Sequence, residues 1–241
     1  MEKKYKLTDE TIKFGGVELH RIEALRDLVC VKKGDKGGFV QSEKNLSQFG
    51  NCWIFDDSKV FNDAYVSGDA ICIWHSMIYE NARVTNNAKI FSNSKVHGNS
   101  NILGNAYICN NSNVYDRACI RGNAFIINDS TVHENALVSG NAIVSRTSIV
   151  RGNSIVSGSA EICNALIERS SDYIVFKNWW SSLRYFTWLK SNNMWRVGCF
   201  YGTGKELIEN AYKDSELSGR EYKRVVEYVE SLLRDEKLKK N

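Results

Sequence analysis

The sequence predicts a mainly β protein whose middle is a three-sided parallel β-helix and whose C-terminal end is a small α+β module. Three observations carry this. From Ile54 to Ile162 an aliphatic residue returns at every sixth position, through Val60, Val66, Ile78, Val84, Ile90, Val96 and Ile102 onwards, with Cys72 the single replacement. Two residues before each stands Ala or Ser, without a gap from Ser58 to Ala160. After Tyr173 the pattern is gone and aromatic residues crowd together.

Each part of the hexad has a physical reason. β-Branched side chains suit a pleated strand. A small residue fits where the chain turns an inward corner. Asn81, Asn87, Asn93, Asn99, Asn105 and Asn111 precede that small residue, and Asn tolerates left-handed backbone angles and bonds locally in turns. Strand and corner, three times over, give a coil of 18 residues, with coils stacked ~4.8 Å apart. A period of six scatters the aliphatic residues around a helix, which excludes that alternative. Proline is absent, as continuous hydrogen-bonded ladders require. The chain divides into an N-terminal cap (1–51), the β-helix (52–170) and the C-terminal α+β module (171–241).

Side chains alternate along a strand, so the outer surface is legible. The first face presents Trp53, Phe55, Ile71, Ile73, Phe91, Tyr107, Phe125, Ile127 and Ile143. An apolar stripe of that extent needs a cover, and a homotrimer interface is expected, the alternative being the C-terminal segment folded back over it. The second face aligns Phe61, Tyr79, His97, Tyr115, His133 and Arg151. These are expected to stack as cross-strand neighbours, or to line a groove between subunits. The third, with Arg83, Thr85, Asn101, Arg121 and Ser139, reads as solvated.

At the N-terminal end, Val17–Ile22 alternates like a strand, and 32–38 is a basic, glycine-rich turn without the spacing of a phosphate-binding loop. Val40 and Leu46 are six apart but Leu46 and Ile54 are eight, so the first coil is irregular. An open β-helix end is an adhesive edge, and capping is the expected role of this segment. In the C-terminal module, Tyr173–Lys177, Arg184–Lys190 and Met194–Phe200 read as strands and Lys205–Lys213 as a helix. A second helix is expected from Ser218, with Ser218 and Glu221 as a capping box. Trp179, Trp180, Arg184, Tyr185, Trp188, Trp195, Arg196, Thr203 and Lys205 form a candidate site for a small anionic or nucleotide-like ligand. Aromatic faces stack on bases, and a helix start favours anions. The competing role for each tryptophan is the core of a small domain.

The net charge of +4, with its excess at the two ends, does not call for duplex nucleic acid. Seven cysteines without a CxxC pair point to reduced packing thiols, not to a zinc site or disulfide framework. No apolar run is long enough to span a membrane and the N-terminus lacks a signal peptide, so the expected location is the cytoplasm. No metal or cofactor is expected.

The hexad resembles the hexapeptide-repeat family, whose fold is the left-handed parallel β-helix, usually as parallel trimers. That resemblance implies the fold but not one activity, since acyltransferases, carbonic anhydrases and non-catalytic proteins share the prism. Arg21-Ile22-Glu23-Ala24-Leu25, Gly37-Gly38-Phe39-Val40, Val197-Gly198-Cys199-Phe200 and Gly202-Thr203-Gly204 resemble uncharacterised phage and prophage members, which implies phage origin and the host cytoplasm. Family acyltransferases use a histidine base at a cleft between subunits. His75, His97 and His133 are the candidates, but no loop interrupts the hexads to enclose a substrate. The sequence therefore leans towards a non-enzymatic oligomer that sequesters a nucleotide-derived immune signal, an anti-defence role. A hexapeptide acyltransferase and a structural rod are the alternatives.

Overall fold

The computed structural model describes residues 3–238. Three parallel sheets enclose a prism. One runs through Lys59–Val60, Met77–Ile78, Lys95–Val96, Asn113–Val114, Thr131–Val132, Ile149–Val150 and Leu166–Ile167. The second runs from Trp53–Ile54 to Glu161–Cys163, and the third from Tyr65–Val66 to Ile155–Val156. Partners lie one coil apart, as Val96 with Val114 and Ile108 with Ile126. The hexad aliphatics are fully buried and form a single core with the corner alanines.

The corners explain the small residues and the asparagines. Left-handed backbone recurs at Asn62, Asn86, Asn110, Asp116 and Asn128, and at glycines such as Gly98 and Gly122. Asparagine amides bond from coil to coil, as Asn87 to Asn105 (3.0 Å), Asn105 to Asn123 and Asn123 to Asn141 (each 2.9 Å). At the corner entering the first sheet the small residue is Ser from Ser58 to Ser148, and Ser112 and Ser130 donate to the carbonyls of Cys109 and Ile127 at 2.7 Å. That bond satisfies a carbonyl facing an apolar interior. Gly98 has φ +68°, and a Cβ there would stand 2.6 Å from the Asp116 backbone nitrogen. Gly98→Ala is expected to lower stability by about 2 kcal/mol or more, read as a shifted denaturation midpoint. An unshifted midpoint would show that the corner can rearrange.

The cap continues the first sheet. Tyr5–Phe14 and Val17–Ala24 form an antiparallel hairpin, and Lys36–Val40 bridges it to Lys59–Val60. A strand was expected over Val17–Ile22 and runs on to Ala24; its partner Tyr5–Phe14 was not expected. Gly37 and Gly38, expected within a turn, lie in the bridging strand. A Cβ on either would meet a carbonyl oxygen of Ile54 or Ser58 at 2.5 Å, so glycine is what lets the cap approach the first coil. Leu46 bridges to Val66 in parallel, which closes the irregular first coil.

In the C-terminal module, Tyr173–Lys177, Tyr185–Leu189, Met194–Val197 and Phe200–Gly202 form an antiparallel sheet. The expected Met194–Phe200 strand is split by a turn with Gly198 at φ +56°. Helices α1 (Gly204–Asp214) and α2 (Glu216–Leu238) cover one side of the sheet, with Leu207, Ala211, Tyr222, Val226 and Val229 against Phe186, Trp188 and Trp195. The Ser218–Glu221 capping box does not form. Helix α2 starts earlier, Ser215 Oγ accepts from the Ser218 N–H (3.1 Å), and Glu221 pairs with Arg224. Ser215 offers the same capping oxygen one turn sooner. No helix among the described residues is long and apolar enough to cross a membrane.

Candidate functional site

The first sheet carries a ladder of rings on its outer side. Phe61, Tyr79, His97, Tyr115 and His133 follow one another at centroid separations of 5.2, 4.6, 5.0 and 4.8 Å, with interplanar angles between 5° and 13°. The 18-residue coil dictates this, because ring stacking and the strand spacing of ~4.8 Å share one distance. Phe14 of the cap closes one end edge-on. Arg151, paired with Glu168, stands in the next coil at the other.

Both histidines are held in this stack with little freedom, their side chains 20% and 15% exposed. Each faces a carboxylate from the corner. His97 Nδ1 lies 3.6 Å from Glu80 Oε2, and His133 Nδ1 lies 3.7 Å from Asp116 Oδ2 and 3.9 Å from Glu134 Oε1. The carboxylates are fixed in turn by backbone N–H groups one coil further on: Gly98 donates to Glu80 (2.7 Å), Glu134 to Asp116 (3.1 Å) and Gly152 to Glu134 (2.8 Å). Burial, then the neighbouring carboxylates, raise the Tyr79 and Tyr115 phenols above their ordinary values, so these rings stay neutral. At these separations the carboxylates face the rings without a direct hydrogen bond to them. A polar cleft of about 330 Å³ is lined by Asn99, Asp116, Arg117, Glu134 and Asn135, and so adjoins the two carboxylates that face His133. The histidines were visible in the sequence. Their carboxylates were not singled out, although Glu80 and Asp116 each stand one residue short of a coil before their histidine.

The other candidates are placed as follows. His75 is exposed at a corner next to Trp74, which has φ +65°, is 54% exposed and packs edge-on against Phe91. Of the nine residues expected to hold an anionic ligand, Trp188 and Trp195 are core residues, and the Trp188 indole donates to Asn193. Trp180 packs edge-on against Phe186 and Tyr222. Trp179 is 72% exposed and Tyr185 lies beneath the Lys177 ammonium. Arg196 is paired with Glu161 of the last coil at 3.0 Å. Thr203 caps α1, but the N-terminus there is occupied by the Glu206 carboxylate, which accepts from the Thr203 N–H (2.8 Å) and hydroxyl (2.9 Å) and is held below the usual carboxylate range by them. Lys205 points to solvent near Glu209. Arg184 lines a separate cleft of about 290 Å³ with Asn178, Asp214 and Tyr222. The fold does not gather these nine around one cavity. Among the described residues no three His, Cys, Asp or Glu side chains converge as a metal site.

Along the apolar face, Phe91, Tyr107 and Phe125 stack at 4.7 and 5.4 Å. Phe55, Ile71, Ile73, Ile127 and Ile143 are half-buried on the same sheet and Phe125 is exposed. Trp53, expected in this stripe, is instead covered by the cap, edge-on to Tyr5 at 6.4 Å and 1% exposed. The C-terminal module touches the far end alone: Glu161 N–H donates to Thr187 Oγ1, and a cleft joins Ile143 to Arg184 and Tyr185. It caps the last coil and does not fold back along the stripe.

No family model matches the chain. An uncharacterized acetyltransferase of Escherichia coli strain K12, YdcK, is 36% identical in an alignment of 76 residues that covers 28% of this chain. The likeness spans 23% of that protein's length, so the chain matches less than a quarter of it.

Proposed function

We propose that the protein is an acyltransferase of the hexapeptide-repeat type, with His133 as its general base. The carrying observation is the ring-stacked His133 facing Asp116 at 3.7 Å, with a polar cleft lined by Asp116 and Glu134. His133 Nε2 takes the proton from an acceptor hydroxyl or amine, whose heteroatom attacks an acyl thioester. The acyl–sulfur bond breaks and the thiol leaves. Asp116 faces the other ring nitrogen from 3.7 Å and places a negative charge beside the base. Arg117, which lines the cleft, would meet an anionic donor. The partial likeness to a protein described as an acetyltransferase supports this reading. Sequestration of a nucleotide-derived ligand is less well supported, because most of the aromatic and basic groups that suggested it are engaged in packing or pairing.

Three copies joined through the wall of Ile71, Phe91, Tyr107, Phe125, Ile127 and Ile143 complete the proposal, since an apolar surface of that extent calls for a cover. Thiol release from acetyl-CoA, measured across a panel of hydroxyl and amine acceptors, tests the activity. Acceptor-dependent release is expected. No release with any acceptor, together with no binding of coenzyme A, would refute it.

A further inference from the structure

The cap contains a buried pair that the proposed chemistry does not use. Lys4 is fully buried, as is Cys52 at the start of the first regular coil. The Lys4 ammonium nitrogen lies 3.0 Å from Cys52 Sγ and 2.8 Å from the Cys52 carbonyl oxygen, and these two atoms are its hydrogen-bond acceptors. A charged amine with three protons and no carboxylate partner is poorly placed in such surroundings. Burial lowers the Lys4 pKa and raises that of Cys52, which favours the neutral amine beside the neutral thiol. The thiol's other contacts, to carbonyls of Ser47, Phe49 and Val66, are 3.7–3.8 Å long and weak. A nucleophilic amine and an oxidisable sulfur are thus pressed together by the fold. The residues on either side of Cys52, Asn51 and Trp53, line a cleft of about 330 Å³, so a small redox agent can come close to the pair.

We infer that Lys4 and Cys52 form a redox-reversible covalent staple, an N–O–S bridge that ties the cap to the rod. Dioxygen is the oxidant. The thiol S–H bond and one amine N–H bond break, and one oxygen atom bridges sulfur and nitrogen. The other oxygen leaves as water with the two thiol and amine hydrogens. Sulfur and nitrogen each give up two electrons, the four that dioxygen accepts. Thiol reductants with four electrons return the free amine, the thiol and a second water. The bridge closes a loop between residues 4 and 52, which restricts the unfolded chain and so stabilises the cap.

Peptide mapping of the full-length protein, held either in air or anaerobically under reductant, tests this. The aerobic sample is expected to contain one species joining the Lys4 and Cys52 peptides, heavier than their sum by one oxygen less two hydrogens. Reductant should separate it. Unlinked peptides, a Cys52–Cys72 disulfide, or Cys52 oxidised to its sulfinic acid without linkage would overturn the proposal. The wild type should melt several degrees higher aerobically than reduced, whereas Lys4→Met and Cys52→Ala should melt alike under both conditions. A redox shift that persists in either variant also overturns it. The mapping needs no variant, so a failure of either to fold leaves the test intact.

Discussion

Ile102→Asp is expected to abolish the folded rod. Ile102 is fully buried at mid-length, paired with Val84 and Ile120 in the coils on either side. The interior around it is aliphatic, and the corner hydroxyls of Ser100 and Ser112 are bonded to the carbonyls of His97 and Cys109. A carboxylate there finds neither a cation nor water, and neutralising it leaves an unpaired acid in a methyl-filled layer. The loss is several kcal/mol at least, comparable to the ~5–15 kcal/mol that holds a whole domain together. In a solenoid each coil is the template for the next, so a broken central coil separates the two halves. Ile102→Ala, by contrast, should cost about 2–5 kcal/mol and leave a folded protein. Circular dichroism melts and limited proteolysis distinguish these outcomes. A cooperative melt for the Asp variant close to that of the wild type would show that side chain not to be interior.

His133→Asn is expected to lower acyl transfer by about 10²–10⁴-fold while leaving the melting temperature nearly unchanged. Asn keeps a polar planar group in the ladder but cannot accept and release the proton. Asp116→Asn should also slow transfer, because it removes the negative charge that faces the ring. His97→Asn is the control within the same protein, since His97 has an equivalent stack and an equivalent carboxylate in Glu80. If His97→Asn and not His133→Asn abolishes turnover, the base has been assigned to the wrong coil. If neither matters, the ladder is structural.

How much of this was legible beforehand differs along the chain. The ring ladder could be written from the sequence alone, because a residue and its spatial neighbour are always one coil apart. Its chemistry was less legible: Glu80 and Asp116 look like ordinary corner residues until the corner is seen to bring them diagonally towards the next histidine. In the C-terminal module the strands and first helix could be anticipated from local patterns, but the roles of Trp188, Trp195, Arg196 and Thr203 could not. Composition alone does not distinguish a tryptophan that stacks on a ligand from one that fills a core.

The sequence by itself determined the prism: the inward aliphatics, the small corners, the asparagine stacks and the apolar wall all follow from one local period in which every contact has the same separation. The tertiary structure decided what happens where that period ends. It buried Trp53 beneath Tyr5, spent Arg196 on Glu161, and brought Lys4 against Cys52. Those contacts join segments with no shared repeat, so they depend on how the cap and the end module settle on the terminal coils, where exposed strand edges and apolar surface need covering.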